Sequence, residues 1–146
     1  SLTDAMMTRF SLDAPRKLID YVYAPSTVPS DIAKFAIDVL SAANTGDKVA
    51  LDIVNEHLDI LSRIVDSLTK HNLPGTVWLF GGVFEHNPWV ITLFEEKLSR
   101  FKKGVSASLI PYPPAIGSAV YAMKMNGTLT DDVLETMKNT YKETDF

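Results

Sequence analysis

The segment Thr76-Val77-Trp78-Leu79-Phe80-Gly81-Gly82-Val83-Phe84-Glu85-His86-Asn87-Pro88 places three kinds of structure end to end. Thr76–Phe80 is β-branched, aromatic and aliphatic, without charge, and lies between Pro74-Gly75 and Gly81-Gly82. A short apolar run between such punctuators predicts a strand buried on both faces. Asn87 and Pro88 predict an N-cap and a first-turn proline. Val90, Ile91, Phe94, Leu98 and Phe101 then recur at helical spacing. The unit reads as strand, glycine turn, helix.

Two glycines at the carboxyl end of a strand let the chain take φ > 0 and let another group approach the backbone. The following helix directs its free N–H groups and positive dipole end toward the same crevice. In open α/β sheets ligands lie outside the carboxyl ends of the strands, which makes Gly81-Gly82 the first candidate for a nucleotide or other anion. A tight turn whose glycines only relieve sterics accounts for the same pair. His86 beside Glu85 reads as an exposed loop tip rather than a ligand contact.

Beyond this unit Gly104 supplies a helix stop, with Lys102-Lys103 complementing the dipole before it. Val105–Ile110 alternates Val105, Ala107 and Leu109 against Ser106 and Ser108, which predicts a second strand. Strand, helical connection and strand make a parallel βαβ crossover of expected right hand. After Pro111-Tyr-Pro-Pro114, the helix over Ala115–Met123 has a small side formed by Ala115, Ser118, Ala119 and Ala122, with Gly117 beside it. Glycine inside a helix costs about 1 kcal/mol relative to alanine, and close approach of a helix or of a ligand would offset that. Asn126-Gly127 reads as its stop. Asp131-Asp132 opens a terminal helix carrying Val133, Leu134, Met137 and Tyr141, with Glu143–Phe146 expected to fray.

Toward the amino terminus, Ser1–Tyr23 predicts two short helices, the first with Leu2, Ala5, Met6 and Phe10, the second capped near Asp13. Pro25 and Pro29 enforce a break. Ser30 then caps a helix with Ile32, Phe35, Ala36, Val39, Leu40 and Ala43 in one stripe. From Lys48 to about His71 runs the longest helix, with Val49, Ala50, Ile53, Val54, Leu58, Leu61, Ile64, Val65 and Leu68 expected to face inward. His57 lies beside that stripe without an acidic or histidine partner one turn away, and reads as packing.

A chain of 146 residues is one domain of ordinary size, able to bury roughly 68–70% of its unfolded surface. Its net charge of −4 and lack of a basic patch argue against nucleic acid. With no cysteine there are no disulfides, thiolate metal sites or cysteine nucleophiles. No apolar run approaches the roughly 20 residues of a membrane span, and a cytoplasmic location is expected. No serine–histidine–acid set, metal-binding motif or phosphate-loop motif is present, so no catalytic and no metal-binding residue is assigned.

The order of the motifs resembles a known family. Gly46-Asp47-Lys-Val-Ala50 opening a long helix, the strand ending in Gly81-Gly82-Val83-Phe84, and Pro113-Pro114-Ala-Ile-Gly117-Ser-Ala119 look like the BadF/BadG/BcrA/BcrD-type ATPases. Tyr21-Val-Tyr-Ala-Pro25 is similar to the family as well. That family includes N-acetylglucosamine kinases and shares the fold of sugar kinases, actin and heat-shock chaperones. The resemblance implies a helix-rich α/β fold, a partial ribonuclease H-like (actin-like ATPase) lobe with a short parallel βαβ unit and six or seven helices. It also implies that Gly81, Gly82, Val83 and Phe84 line an adenosine site, with ATP and magnesium bound in the intact enzyme and an amino sugar as acceptor.

The family's Asp-x-Gly phosphate loop occurs nowhere in this chain, which therefore looks like the carboxyl-terminal part of a two-lobed kinase. The expected organisation is a helical segment over 1–45, a core lobe with the adenosine motif over 46–125 and a terminal helix over 126–146. Such a part is expected to be inactive alone. An ATPase that activates a reductase or dehydratase, and a helical interaction domain without enzymatic activity, are the alternatives.

Overall fold

The computed structural model describes residues 1–69, 75–101 and 104–140. It is helix-rich, with a small parallel sheet, and divides into two compact units, Ser1–Leu109 and Ile110–Phe146. The expected end of the long helix near His71, the Lys102-Lys103 pair, Tyr141 and the fraying terminus fall outside the described residues.

In the first unit, α1 (Leu2–Arg9) begins with a capping box: the Asp4 N–H donates to Ser1 Oγ, and the Asp4 carboxylate accepts from the Ser1 backbone. Helix α2 (Lys17–Val22) has Arg16 at its N-cap and no side-chain cap, so Asp13 does not start it. The next helix starts at Pro29 rather than after Ser30, because proline's fixed φ suits the first helical position. The single helix expected there is broken at Lys34 into α3 (Pro29–Ala33) and α4 (Phe35–Asn44). Arg9 pairs with Asp38 and so ties α1 to α4, while the Phe10 ring meets Tyr21 and Phe35 with centroids at 4.8 and 5.9 Å.

Asp47 Oδ1 accepts from the Ala50 N–H and opens α5 (Lys48–Thr69), which α4 and α7 (Pro88–Phe101) flank. The buried line of α5 is Ala50, Val54, Leu58 and Ser62, a straight series four residues apart. The Ser62 hydroxyl donates to the Leu58 carbonyl at 2.7 Å, which is how a polar residue is accommodated there. The inward stripe is therefore narrower than expected. Val49, Ile53, Leu61, Ile64 and Leu68 are exposed, since α4 and α7 approach only one side of the helix.

Strands β1 (Thr76–Leu79) and β2 (Ser106–Leu109) pair in parallel, Val77 opposite Ala107 and Leu79 opposite Leu109. Between them lie a short α6 (Gly82–Glu85) and α7. Gly75 and Gly104 stand together at the strand starts: a Cβ on Gly75 would come within 2.8 Å of the Gly104 carbonyl oxygen, closer than atoms tolerate. The core joins Leu40 and Ala43 of α4, Ala50, Val54 and Leu58 of α5, Leu79, Ala107, and Val90, Phe94 and Leu98 of α7. Lys97, unforeseen in the sequence, is also buried there, its ammonium 2.8 Å from Asp59 on α5.

The strand β1 is not buried on both faces. Leu79 is buried, but Trp78 is 59% exposed and Phe80 beyond it 58%. The reason is that α-helices of this unit cover one face of a sheet of two strands, whereas parallel sheets are ordinarily covered on both. On the outer edge of β2 the Ala107 N–H donates to Glu95 of α7 at 3.0 Å, so a side chain supplies what a further strand would have supplied.

The second unit contains α8 (Pro114–Met125), stopped at Asn126-Gly127 as expected, and α9 (Asp131–Thr140), whose Val133 N–H donates to Thr130 Oγ1. No residue of α8 is buried, and a Cβ added at Gly117 meets nothing within 4 Å. Within this unit no described residue packs against Gly117. Nine helices are described against six or seven expected; the break at Lys34 and the turn of helix after the glycines make the difference.

Candidate functional site

Gly81 follows β1 at φ 106° and ψ 156°, a conformation open in practice only to glycine. Gly82 has no positive φ and begins α6. The reversal turns the chain across the carboxyl end of β1 and points Phe84 at Phe94, with ring centroids 6.0 Å apart. That contact anchors the turn to the core. Asn87 Nδ2 donates to the Val83 carbonyl, closing α6 before Pro88 opens α7.

A groove of about 470 Å³ runs beside this turn. One wall is Phe80, Gly81, Gly82, Val83 and Phe84; the other comes from Ile53, Val54, His57, Leu58 and Leu61 of α5, with Ala36, Val39 and Leu40 of α4 at the end. The structure thus brings all four sequence-derived site residues to one wall. It lies at the carboxyl end of a parallel strand, and its size is within the roughly 300–1,000 Å³ usual for small-molecule sites.

Among the described residues the lining contains no Asp, Glu, Lys or Arg. The helix after the glycines is α6 rather than α7, and the Gly81 N–H already donates to Glu85 Oε1 at 3.0 Å. A carboxylate there opposes an anionic ligand. The described lining is apolar apart from His57 and offers nothing to neutralise phosphates. Among the described residues no three His, Asp or Glu side chains come together as a metal site. Of the ATP–magnesium ligand implied by resemblance, the described lining offers no cation to the triphosphate and no ligand set to the metal. His86 is exposed at the end of α6.

The chain matches no family model and no curated protein.

His57 differs from its expected packing role. It is exposed on the groove rim, with Nδ1 2.8 Å from the Ile53 carbonyl oxygen, one helical turn back. The spacing of Ile53, His57 and Leu61 already placed the imidazole on one side of the helix. What the sequence did not disclose was that this side would remain open. The charged pairs stand outside the lining. Hydrogen bonds from Arg9, Lys97 and Lys34 hold the carboxyls of Asp38, Asp59 and Asp31 below the usual range. Among the described residues no helix is long and apolar enough to cross a membrane.

Proposed function

We propose that this chain is the carboxyl-terminal, nucleotide-binding part of an ATP-dependent amino-sugar kinase, a cytoplasmic enzyme with a ribonuclease H-like lobe. Its groove forms the adenosine side of a cleft between two lobes. The observation that carries this reading is the shared wall: Gly81, Gly82, Val83 and Phe84, singled out by resemblance to an adenosine motif, line one apolar groove at the end of β1. Base and ribose would lie between this turn and α5. Phosphates, magnesium and sugar would be held by segments carrying the phosphate loop, because the described residues of the groove include no cation to meet them.

Titration of adenosine into the full chain, followed by amide and methyl NMR, tests the reading. Saturable shifts clustered at Gly81–Phe84 and at the Ile53 and Leu61 methyls are expected, with weak affinity because one wall buries little of the ligand. No shift at millimolar adenosine, or shifts confined to other elements, refutes it.

The exposure of Trp78 and Phe80 favours a second reading, a helical interaction domain without enzymatic activity. In that case adenosine leaves the Gly81–Phe84 amides unmoved, while Trp78→Ser abolishes association with a protein partner.

A further inference from the structure

We propose that His57 reads the purine base, its Nε2 accepting a hydrogen bond from the exocyclic amine and so favouring adenosine over 6-oxo purine nucleosides. This rests on the adenosine reading of the groove. Among the described residues every other lining side chain is aliphatic, aromatic or absent, so His57 is the side chain there that can hydrogen-bond a bound base. The Ile53 carbonyl oxygen, 2.8 Å from Nδ1, can only accept, and Nδ1 therefore carries a proton. In the neutral ring Nε2 is then an acceptor. A base that presents an N–H₂ group satisfies it. One that presents a carbonyl oxygen sets two acceptors against each other at the groove rim and forgoes that bond. The bond to Ile53 also fixes the ring on a helix of 22 residues, so the preference does not depend on a mobile loop.

The test titrates adenosine, inosine and purine riboside into the full chain and into His57→Phe, at about pH 8, above the range where histidines ordinarily take a second proton. Purine riboside has neither amine nor oxo group and reports the groove alone. The native chain is expected to bind adenosine roughly 2–12-fold more tightly than inosine, the range of one net hydrogen bond. In His57→Phe that ratio should fall to about 1, with purine riboside binding retained. Equal affinity of the native chain for adenosine and inosine overturns the proposal, as does a preference that survives in His57→Phe. If purine riboside and adenosine both leave Gly81–Phe84 unperturbed, the groove is not a nucleoside site. The adenosine reading then fails, and the role of His57 falls with it.

Discussion

Replacing Gly81 with alanine, and Gly82 with alanine as its neighbour control, separates backbone conformation from space. Gly81 sits at φ 106° and ψ 156°, where a Cβ-bearing residue is strained by about 1–3 kcal/mol. A Cβ built on Gly81 meets no atom within 4 Å, so that strain is the whole effect. Gly82 has no positive φ, and its Cβ would stand 3.4 Å from His86 Cδ2, an ordinary contact with a flexible side chain. Alanine there restricts the unfolded chain and should stabilise by about 0.4–1 kcal/mol. The two variants should thus differ by about 1.4–4 kcal/mol, with the native protein between them. Urea unfolding followed by far-UV circular dichroism measures this. At slopes of about 1–3 kcal/mol per molar the midpoints separate by on the order of 1 M. Equal midpoints, or Gly82→Ala as the weaker variant, would refute the reasoning about the turn. The same asymmetry makes Gly82→Val the cleaner probe of binding. It adds bulk on a backbone with no positive φ at the groove wall, and it should weaken adenosine binding while Trp89→Phe on α7 does not.

The Lys97–Asp59 pair gives an asymmetric result. Asp59→Asn strands a buried ammonium and should lower the melting temperature clearly, whereas Lys97→Met keeps the packing, leaves a half-exposed carboxylate to water and should change it little. Because the hydrogen bond from Lys97 depresses the folded-state pKa of Asp59, its contribution is complete above about pH 4 and is lost as pH falls through the depressed value. Melting between pH 6 and pH 2 should show that loss in the native protein and not in Lys97→Met. Removal of the Glu95 carboxylate in Glu95→Ala leaves the Ala107 N–H without its acceptor and should cost about 1.5–3 kcal/mol, with faster hydrogen exchange at the Ala107 amide as the local sign. The chain alone should show no ATP hydrolysis above background, since phosphoryl transfer needs positioned metal and phosphate contacts; turnover by a pure sample that is removed by Gly82→Val would contradict this.

The elements that the sequence disclosed are those whose causes are local. Proline at the start of α7, Asp47 before α5, Asn126-Gly127 after α8 and the alternation through Val105–Leu109 each carry their own signal, and the parallel pairing followed from the length of the crossover. Long-range partners were not legible. Lys97 is polar by type and is buried only because Asp59 stands 2.8 Å away, 38 residues earlier. The apolar width of α5 was visible, but which of its residues α4 and α7 would cover was not. At the site the glycine pair forms a bend beside a groove. That the strain rests on Gly81 alone, and that Glu85 takes its N–H, depends on a turn of helix the sequence did not announce.

Strand β1 pairs only with β2 among the described residues, and Thr76–Leu79 contains no charge, no proline and no bulge to discourage a further pairing. Its unpaired edge and the bare indole of Trp78 are the features that natural sheets blunt with lysine or cover with another element. In solution this makes the strand a template for its own kind. Crowded samples should therefore be limited by colloidal behaviour, clouding with time and concentration while the helices remain folded. A single lysine at position 78 acts on that tendency without touching the core, because the residue it replaces contributes to the outer face alone.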